Sequence, residues 1–124
     1  MEQIQEITKS GDVVYLTEDK ESIVKTVEVA GDGGACPQEG EEVLVDYVGR
    51  LEDGTVFGTS KDKEPFKFEI GVGSVIKGWD IGIMSMQVGE KAELKVASEF
   101  AYGAAGIPPT IPPNATLTFE VDLI

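Results

Sequence analysis

Apolar and polar residues alternate along much of the chain, and this alternation predicts β-strands separated by turns. The clearest strand covers residues 116–123, where every second residue from Leu117 to Leu123 is apolar. Residues 91–96 alternate in the same way between charged and apolar side chains. Because a shift of one residue would turn charged side chains into the core, the register of both strands is well specified.

Further strands are predicted where β-branched and aromatic residues cluster between turn signals. They are residues 23–29, residues 42–51, a short strand with Val56 and Phe57 that returns antiparallel after the turn at 52–54, and the alternation of Phe66, Phe68 and Ile70. Residues 1–21 form an acidic N-terminal extension, in which one apolar run at 13–16 is expected to add an edge strand. Residues 22–124 are predicted to form one domain.

One segment has the apolar spacing of a helix. Its predicted inner face carries Val75, Ile76, Trp79 and Ile83. Ser74 is the predicted N-cap. Gly78 and Gly82 lower the helix propensity, but their spacing of four residues allows close approach to a neighbouring surface. The pattern therefore predicts an α+β fold, an antiparallel sheet with one short α-helix on its concave face.

The charge of the chain excludes several classes of partner. The 124 residues include 23 Asp and Glu but 10 Lys and Arg, which gives a formal net charge of −13. Phosphate contacts need basic residues, so we expect no nucleic acid partner. An anionic membrane surface would also repel the domain. The acidic surface is typical of a solubilising charge; an acidic face that selects basic partners is the alternative.

The chain has no histidine and a single cysteine, Cys36. The lack of histidine excludes Ser-His-Asp and Cys-His nucleophile systems, as well as histidine-based metal sites. We therefore expect neither a metal nor another cofactor. Cys36 has no internal partner for a disulfide, and the N-terminus lacks the basic and apolar regions of a secretory signal. These features predict the cytoplasm, with the nucleus as a second compartment.

Nine aromatic and aliphatic residues are candidates for a functional site, and none of them is an acid, a base or a metal ligand. They are Tyr47, Phe57, Phe66, Val75, Ile76, Trp79, Tyr102, Ile111 and Phe119. Such residues form either an ordinary core or the lining of a small apolar pocket under the Pro-rich loop that follows Tyr102. Composition and periodicity leave both interpretations open.

The order of six motifs resembles the FKBP family of peptidyl-prolyl cis/trans isomerases. The motifs are Val-Asp-Tyr-Val-Gly at 45–49, Leu-Glu-Asp-Gly at 51–54, Pro-Phe-Lys-Phe at 65–68, Val-Ile-Lys-Gly-Trp at 75–79, Phe-Ala-Tyr-Gly at 100–103 and Ile-Pro-Pro-Asn-Ala-Thr-Leu-Thr-Phe-Glu-Val at 111–121. The resemblance covers residues 22–124. It implies a strongly bent antiparallel sheet wrapped around one short helix, and an immunophilin that isomerises X–Pro bonds in protein folding.

The acidic extension and the sequence Ile-Lys-Gly-Trp-Asp-Ile-Gly at residues 76–82 are most similar to the first domain of a large, multi-domain FKBP. Proteins of that type often continue into a second FKBP domain and into helical TPR repeats that dock a chaperone. A chaperone is therefore expected as a partner only through domains that are absent from this chain.

The resemblance also implies roles for the nine residues. Those expected at the catalytic centre are Tyr47, Phe57, Trp79, Tyr102 and Phe119. Those expected to bind substrate or inhibitor are Phe66, Val75, Ile76 and Ile111. Trp79 would form the floor of the pocket, while the Ile76 N–H and the Tyr102 hydroxyl would each bind a carbonyl of a proline-containing peptide.

The chain departs from the family pattern beside this pocket. Family members that bind macrolides tightly usually have Phe-Asp-Ser-Ser after the turn, and here Gly58 replaces the Asp. The following loop, residues 61–64, is also shorter and lacks the Arg that pairs with that Asp. We therefore expect weakened affinity for macrolides of the tacrolimus and rapamycin class. Two functions remain open, an isomerase without covalent or acid–base chemistry and a weakly active or inactive docking or regulatory domain.

Overall fold

A computed structural model describes residues 11–32, 35–61 and 63–124. The expectations for residues 1–10 of the extension and for Asp62 lie outside the described residues. The elements in chain order are β1 Val13–Tyr15, β2 Ile23–Val29, β3 Glu42–Arg50, β4 Val56–Thr59, β5 Phe66–Glu69, α1 Lys77–Met84, β6 Lys91–Val96, a 3-10 turn Ser98–Phe100 and β7 Leu117–Leu123. No helix in these ranges is long and apolar enough to cross a membrane.

Within the described ranges, seven strands form one antiparallel sheet in the order β1-β2-β6-β7-β3-β4, and β5 also pairs with β3. The long strand β3 holds this arrangement together, because it pairs with β7 along one edge and with β5 and then β4 along the other. The single short helix packs on this sheet. The predicted α+β class, a bent antiparallel sheet around one short helix, is confirmed.

The predicted alternation in the two central strands is also found. Leu94 pairs with Phe119 and Ala92 with Val121 across β6 and β7, so their apolar side chains share the buried face. Every second residue of β7 is buried. At the far edge, β1 pairs with β2, with Val14 opposite Lys25.

The helix begins later than its sequence suggests. Lys77 is its first residue, and Ile76 occupies the N-cap position with an extended backbone and no side-chain cap hydrogen bond. The prediction that Ser74 is the N-cap is therefore wrong. The physical reason is that the preceding loop is held by Asp80, whose carboxylate accepts hydrogen bonds from the N–H groups of Gly71 and Gly73.

Two helical glycines bring α1 very close to β6. A Cβ atom added at Gly78 would lie 2.4 Å from Cγ1 of Val96, and one added at Gly82 would lie 2.8 Å from Cδ1 of Leu94. Real Cβ atoms do not approach other heavy atoms so closely. The predicted close approach of the helix is therefore confirmed, and it places Trp79 against the sheet.

The core contains an ion pair that the sequence pattern did not reveal. Lys25 and Glu90 are 1% and 0% exposed, and Nζ of Lys25 lies 2.9 Å from Oε2 of Glu90. The same ammonium donates a hydrogen bond of 2.9 Å to the carbonyl oxygen of Ser85, the C-cap residue of α1. The pair thus ties β2 to the C-terminal end of the helix. Burial of both charges is tolerated because each has a partner.

Replacement of Gly78 by Ala should test the close approach of the helix. Ala favours a helix by about 1 kcal/mol over Gly, but the added methyl group would overlap Val96. We expect a net loss in the free energy of unfolding of about 1–3 kcal/mol, measured by urea denaturation.

The control is Gly58→Ala, because a Cβ at Gly58 would meet its nearest atoms at an ordinary 3.7 Å. That variant should be as stable as the wild type to within about 0.5 kcal/mol. Equal stability of Gly78→Ala and the wild type would contradict the contact between α1 and β6.

Candidate active site

A cavity of about 410 Å³ opens between the start of α1, the concave face of the sheet and the loop that follows Tyr102. None of its lining residues carries a charge. They are Tyr47, Phe57, Gly58, Phe66, Ser74, Val75, Ile76, Trp79, Tyr102, Ile107, Thr110, Ile111 and Phe119. The structure thus brings together all nine residues that were predicted as site residues.

Trp79 lies at the centre of the aromatic cluster below the cavity. Its ring centroid is 5.0 Å from that of Tyr47 and 5.3 Å from that of Phe119, and both contacts are edge-to-face. Phe68 and Phe66 surround the ring at 5.7 Å and 6.0 Å. Edge-to-face aromatic pairs prefer such distances. Trp79 is 5% exposed and is held firmly as the floor of the cavity.

A second aromatic pair depends on a glycine that sequence reasoning missed. Phe57 of β4 and Phe119 of β7 pack edge-to-face with their centroids 5.6 Å apart. They cross over Gly49 of β3, where an added Cβ would lie 2.6 Å from Cζ of Phe57 and 3.0 Å from Cε1 of Phe119. A glycine inside a strand often marks such a close approach, and this is the signal that could have revealed it.

Two hydrogen-bond donors of the cavity are the backbone N–H of Ile76 and the hydroxyl of Tyr102. In the part of the chain that the structure describes, the N–H of Ile76 has no hydrogen-bond acceptor. The carbonyl oxygen of Ile76 accepts hydrogen bonds from the N–H groups of Trp79 and Asp80. Burial raises the pKa of the Tyr102 hydroxyl, and the nearby Tyr47 raises it further. The Tyr102 hydroxyl therefore keeps its proton at neutral pH and can donate it in a hydrogen bond.

Gly58 leaves an open space beside Tyr47. A Cβ added there would be 3.7 Å from both Cε2 and the hydroxyl oxygen of Tyr47, so a methyl group fits without overlap. The loop after β4 supplies no positive charge to the cavity from its described residues. Its lysines, Lys61 and Lys63, line a separate polar groove of about 360 Å³ together with Asp46 and Glu120.

The overhanging loop contributes two residues that were not predicted, Ile107 and Thr110. Ile107 and Ile111 exchange two backbone hydrogen bonds of 2.8 Å, which close the loop into a small hairpin. Ile111 is 4% exposed, whereas Ile107 is 48% exposed. Ile107 and Phe66, which is 42% exposed, therefore form the rim of the cavity rather than its interior.

The fold and the site define a protein with an uncharged, aromatic cavity between a bent antiparallel sheet and a short helix. The lining of the cavity includes no His, Cys, Asp, Glu, Lys or Arg, and among the described residues no group of three or more His, Cys, Asp or Glu could hold a metal ion. The chain belongs to the family of FKBP-type peptidyl-prolyl cis-trans isomerases, whose family model matches residues 33–124.

Individual relatives agree with this assignment. The chain is 50% identical over 103 residues to the peptidyl-prolyl cis-trans isomerase Fkbp12 of Drosophila melanogaster, which covers 82% of this chain and 95% of the relative. It is 54% identical over 95 residues to FK506-binding protein 1A of Emericella nidulans, with 76% and 88% covered. The peptidyl-prolyl cis-trans isomerase FKBP4 of Mus musculus is 50% identical over 104 residues, which are 83% of this chain and 23% of the longer relative.

Among solved structures, the crystal structure of AtFKBP13 is similar, with a TM-score of 0.78 and 37% sequence identity, and the match covers 82% of this chain and 90% of that one. The predicted family and the predicted isomerase function are thus confirmed. The chain is an FKBP-type peptidyl-prolyl cis-trans isomerase domain.

Replacement of Gly49 by Ala should test the aromatic pair above the floor. The methyl group would displace Phe57 and Phe119, and we expect kcat/KM for a Leu-Pro peptide to fall about tenfold, which corresponds to about 1.4 kcal/mol. NMR exchange spectroscopy of the peptide measures this rate.

Phe57→Leu provides the matched background, because Cζ of Phe57 is the atom closest to the new methyl group. In that background Gly49→Ala should lower kcat/KM by a smaller factor than it does alone, since substitutions of residues in contact couple. Wild-type activity in Gly49→Ala would contradict the role of this close approach.

Proposed function

We propose that this domain accelerates rotation about X–Pro bonds by seating the prolyl ring on Trp79, without covalent or acid–base chemistry. The observation that supports this most strongly is the uncharged cavity of about 410 Å³ with an immobilised indole at its base. In this proposal Tyr47, Phe57 and Phe119 enclose the ring, and Phe66, Val75 and Ile111 contact the flanking peptide.

The physical basis is the polarity of the amide. Resonance gives the X–Pro bond a rotation barrier of about 18–20 kcal/mol. In the twisted transition state the bond loses its double-bond character, and the amide loses charge separation. An apolar cavity favours that state over the more polar planar amide, so binding is stronger in the transition state. Each ~1.4 kcal/mol of such differential binding raises the rate about tenfold.

Two donors would orient the substrate. The N–H of Ile76 and the hydroxyl of Tyr102 are proposed to bind carbonyl oxygens on either side of the prolyl ring, so that the reacting bond lies over the indole. The Ile76 N–H has no other acceptor in the described part of the chain, which leaves it available. The raised pKa of Tyr102 keeps the second donor protonated.

The indole of Trp79 offers separate support for a functional role. Its Nε1 is buried and has no acceptor among the described residues. An unpaired buried donor costs about 1–3 kcal/mol. A side chain retained for packing alone would avoid that cost, since Phe or Leu would fill the space without a buried N–H group.

Macrolides of the tacrolimus and rapamycin class are proposed to enter the same cavity, but with weakened affinity. One relative carries FK506 binding in its name. In this chain, however, Gly58 supplies no carboxylate to the wall beside the Tyr47 hydroxyl. A bound macrolide would therefore lose a charge-assisted hydrogen-bond partner, and such bonds are stronger than neutral ones.

We also propose that residues 22–124 form the catalytic domain and that it acts in the cytoplasm. Cys36 is a free thiol, and burial raises its pKa, which makes it less reactive. A free, unreactive thiol suits a reducing compartment.

The test of the main proposal is isomerisation of a Leu-Pro-Phe peptide followed by NMR exchange. Wild-type protein at micromolar concentration should accelerate the reaction, and Trp79→Leu should lower kcat/KM at least about tenfold because the floor loses its flat ring. Tyr15→Leu is the control, since Tyr15 is an aromatic residue of β1 that is 54% exposed and lies outside the cavity lining. Equal rates for wild type and Trp79→Leu would contradict the proposal.

Gly58→Asp tests the macrolide proposal. The new carboxylate would lie beside the Tyr47 hydroxyl, and we expect the affinity for tacrolimus to rise about tenfold or more, measured by calorimetry. Gly58→Asn separates the effect of charge from that of size and should give a smaller gain. Nanomolar binding by the wild type, unchanged in Gly58→Asp, would contradict weakened affinity.

A further inference from the structure

The loop between β5 and α1 carries two residues of the cavity wall. Residues 70–76 connect the end of β5 to the first turn of the helix, and Val75 and Ile76 both line the cavity. In the proposed function the N–H of Ile76 binds a substrate carbonyl. The position of this loop relative to α1 therefore determines where that donor points.

Asp80, in the first turn of α1, holds the loop with both of its carboxylate oxygens. The N–H of Gly71 donates to Oδ1 at 2.8 Å, and the N–H of Gly73 donates to Oδ2 at 3.0 Å. Both glycines have positive φ angles, +81° and +78°. Residues with a side chain adopt such angles only with steric strain. This backbone conformation turns the two N–H groups toward one anion, as in other backbone anion nests.

The two hydrogen bonds are not helix caps. The N-cap position of α1 makes no side-chain cap hydrogen bond, and both oxygens of Asp80 bind the loop that precedes the helix. A carboxylate near a helix N-terminus is favourable for the helix dipole in any orientation. The dipole alone therefore does not explain why the carboxylate is directed toward Gly71 and Gly73.

We propose that Asp80 is a positioning residue for the isomerase reaction. It clamps the loop to α1 so that Val75 and the N–H of Ile76 face the cavity before substrate arrives. The inference rests on the proposed role of Ile76. Trp79 and Asp80 are adjacent in the chain, so a single helical turn positions both the floor of the cavity and the donor in its wall.

The clamp predicts a specific kinetic signature. If the loop occupies its binding position for only a fraction of the time, the apparent dissociation constant rises by the inverse of that fraction. The floor is unaffected, because ring contacts with Tyr47 and Phe119 hold Trp79 independently of the loop. Loss of the clamp should therefore raise KM while kcat changes little.

The experiment compares Asp80→Asn and Asp80→Ala with wild type over a range of Leu-Pro-Phe concentrations by NMR exchange. Asn keeps one acceptor oxygen and should raise KM about threefold; Ala removes both and should raise it about tenfold, with kcat within about twofold of wild type. The amide protons of Gly71 and Gly73 should exchange with solvent faster in both variants. Asp53→Asn is the matched control. The carboxylate of Asp53 accepts a hydrogen bond of 2.9 Å from the backbone N–H of Thr55, and this β3–β4 turn lies outside the cavity.

A second variant disturbs the loop without touching the carboxylate. Gly73→Ala has free space for its methyl group, yet the φ angle of +78° is unfavourable for Ala. It should raise KM in the same way while Asp80 is intact, and it remains informative if Asp80→Ala fails to fold.

The outcomes separate this inference from the proposed function. Faster exchange at Gly71 and Gly73 with a wild-type KM would overturn the positioning role. A fall in kcat at constant KM would also overturn it, because Asp80 would then act by supporting Trp79. If Trp79→Leu and Tyr102→Phe retain wild-type rates, the proposed function itself fails, whatever the Asp80 variants do.

Discussion

The close contact between α1 and β6 is the constraint on which the rest of the site depends. Gly78 and Gly82 present no side chains to Val96 and Leu94, so the helix lies almost directly on the strand. At this distance the indole of Trp79 meets the rings of Tyr47 and Phe119. A methyl group at either glycine would push the helix away from β6. The indole of Trp79 would then move away from these rings, and the cavity would lose its floor. The two residues that lower the helix propensity are therefore the ones that make the site possible.

The chemistry of the cavity follows from what this packing leaves exposed. The walls are largely aromatic and uncharged, and the cavity has two hydrogen-bond donors in the Ile76 N–H and the Tyr102 hydroxyl, whose pKa is raised by burial. Rotation about an X–Pro bond needs no proton transfer and no covalent intermediate, so a site without histidine is sufficient. In the proposed mechanism, the catalytic contribution is a preorganised apolar surface that favours the less polar, twisted amide over the planar one.

Sequence patterns predicted the features that depend on local alternation. The register of β6 and β7 and the position of the helix follow from residues that are neighbours in the chain. Features that depend on tertiary contacts were not predicted. Ser74 is not the N-cap, because the carboxylate of Asp80 binds the preceding loop from the helix side. Lys25 alternates with Ile23 and Val27 on the buried face although it is charged, because Glu90 pairs with it there. Likewise, only the packed sheet shows that Gly49 makes room for two rings. The choice between core and pocket for the aromatic set required the order of the family motifs, because periodicity is the same in both cases.

The most direct test of the account is the pH dependence of isomerisation. A cavity that acts without proton transfer should give a constant kcat/KM for a Leu-Pro peptide between about pH 6 and about pH 9. Among the described residues, tyrosines are the only titratable groups in the lining, and burial raises the pKa of Tyr102, so its hydroxyl stays protonated throughout this range. A flat profile, with equal rates in light and heavy water, is the predicted result. A bell-shaped profile together with a slower rate in heavy water would indicate an essential acid and base and rate-limiting proton transfer, and would contradict a mechanism without acid–base chemistry.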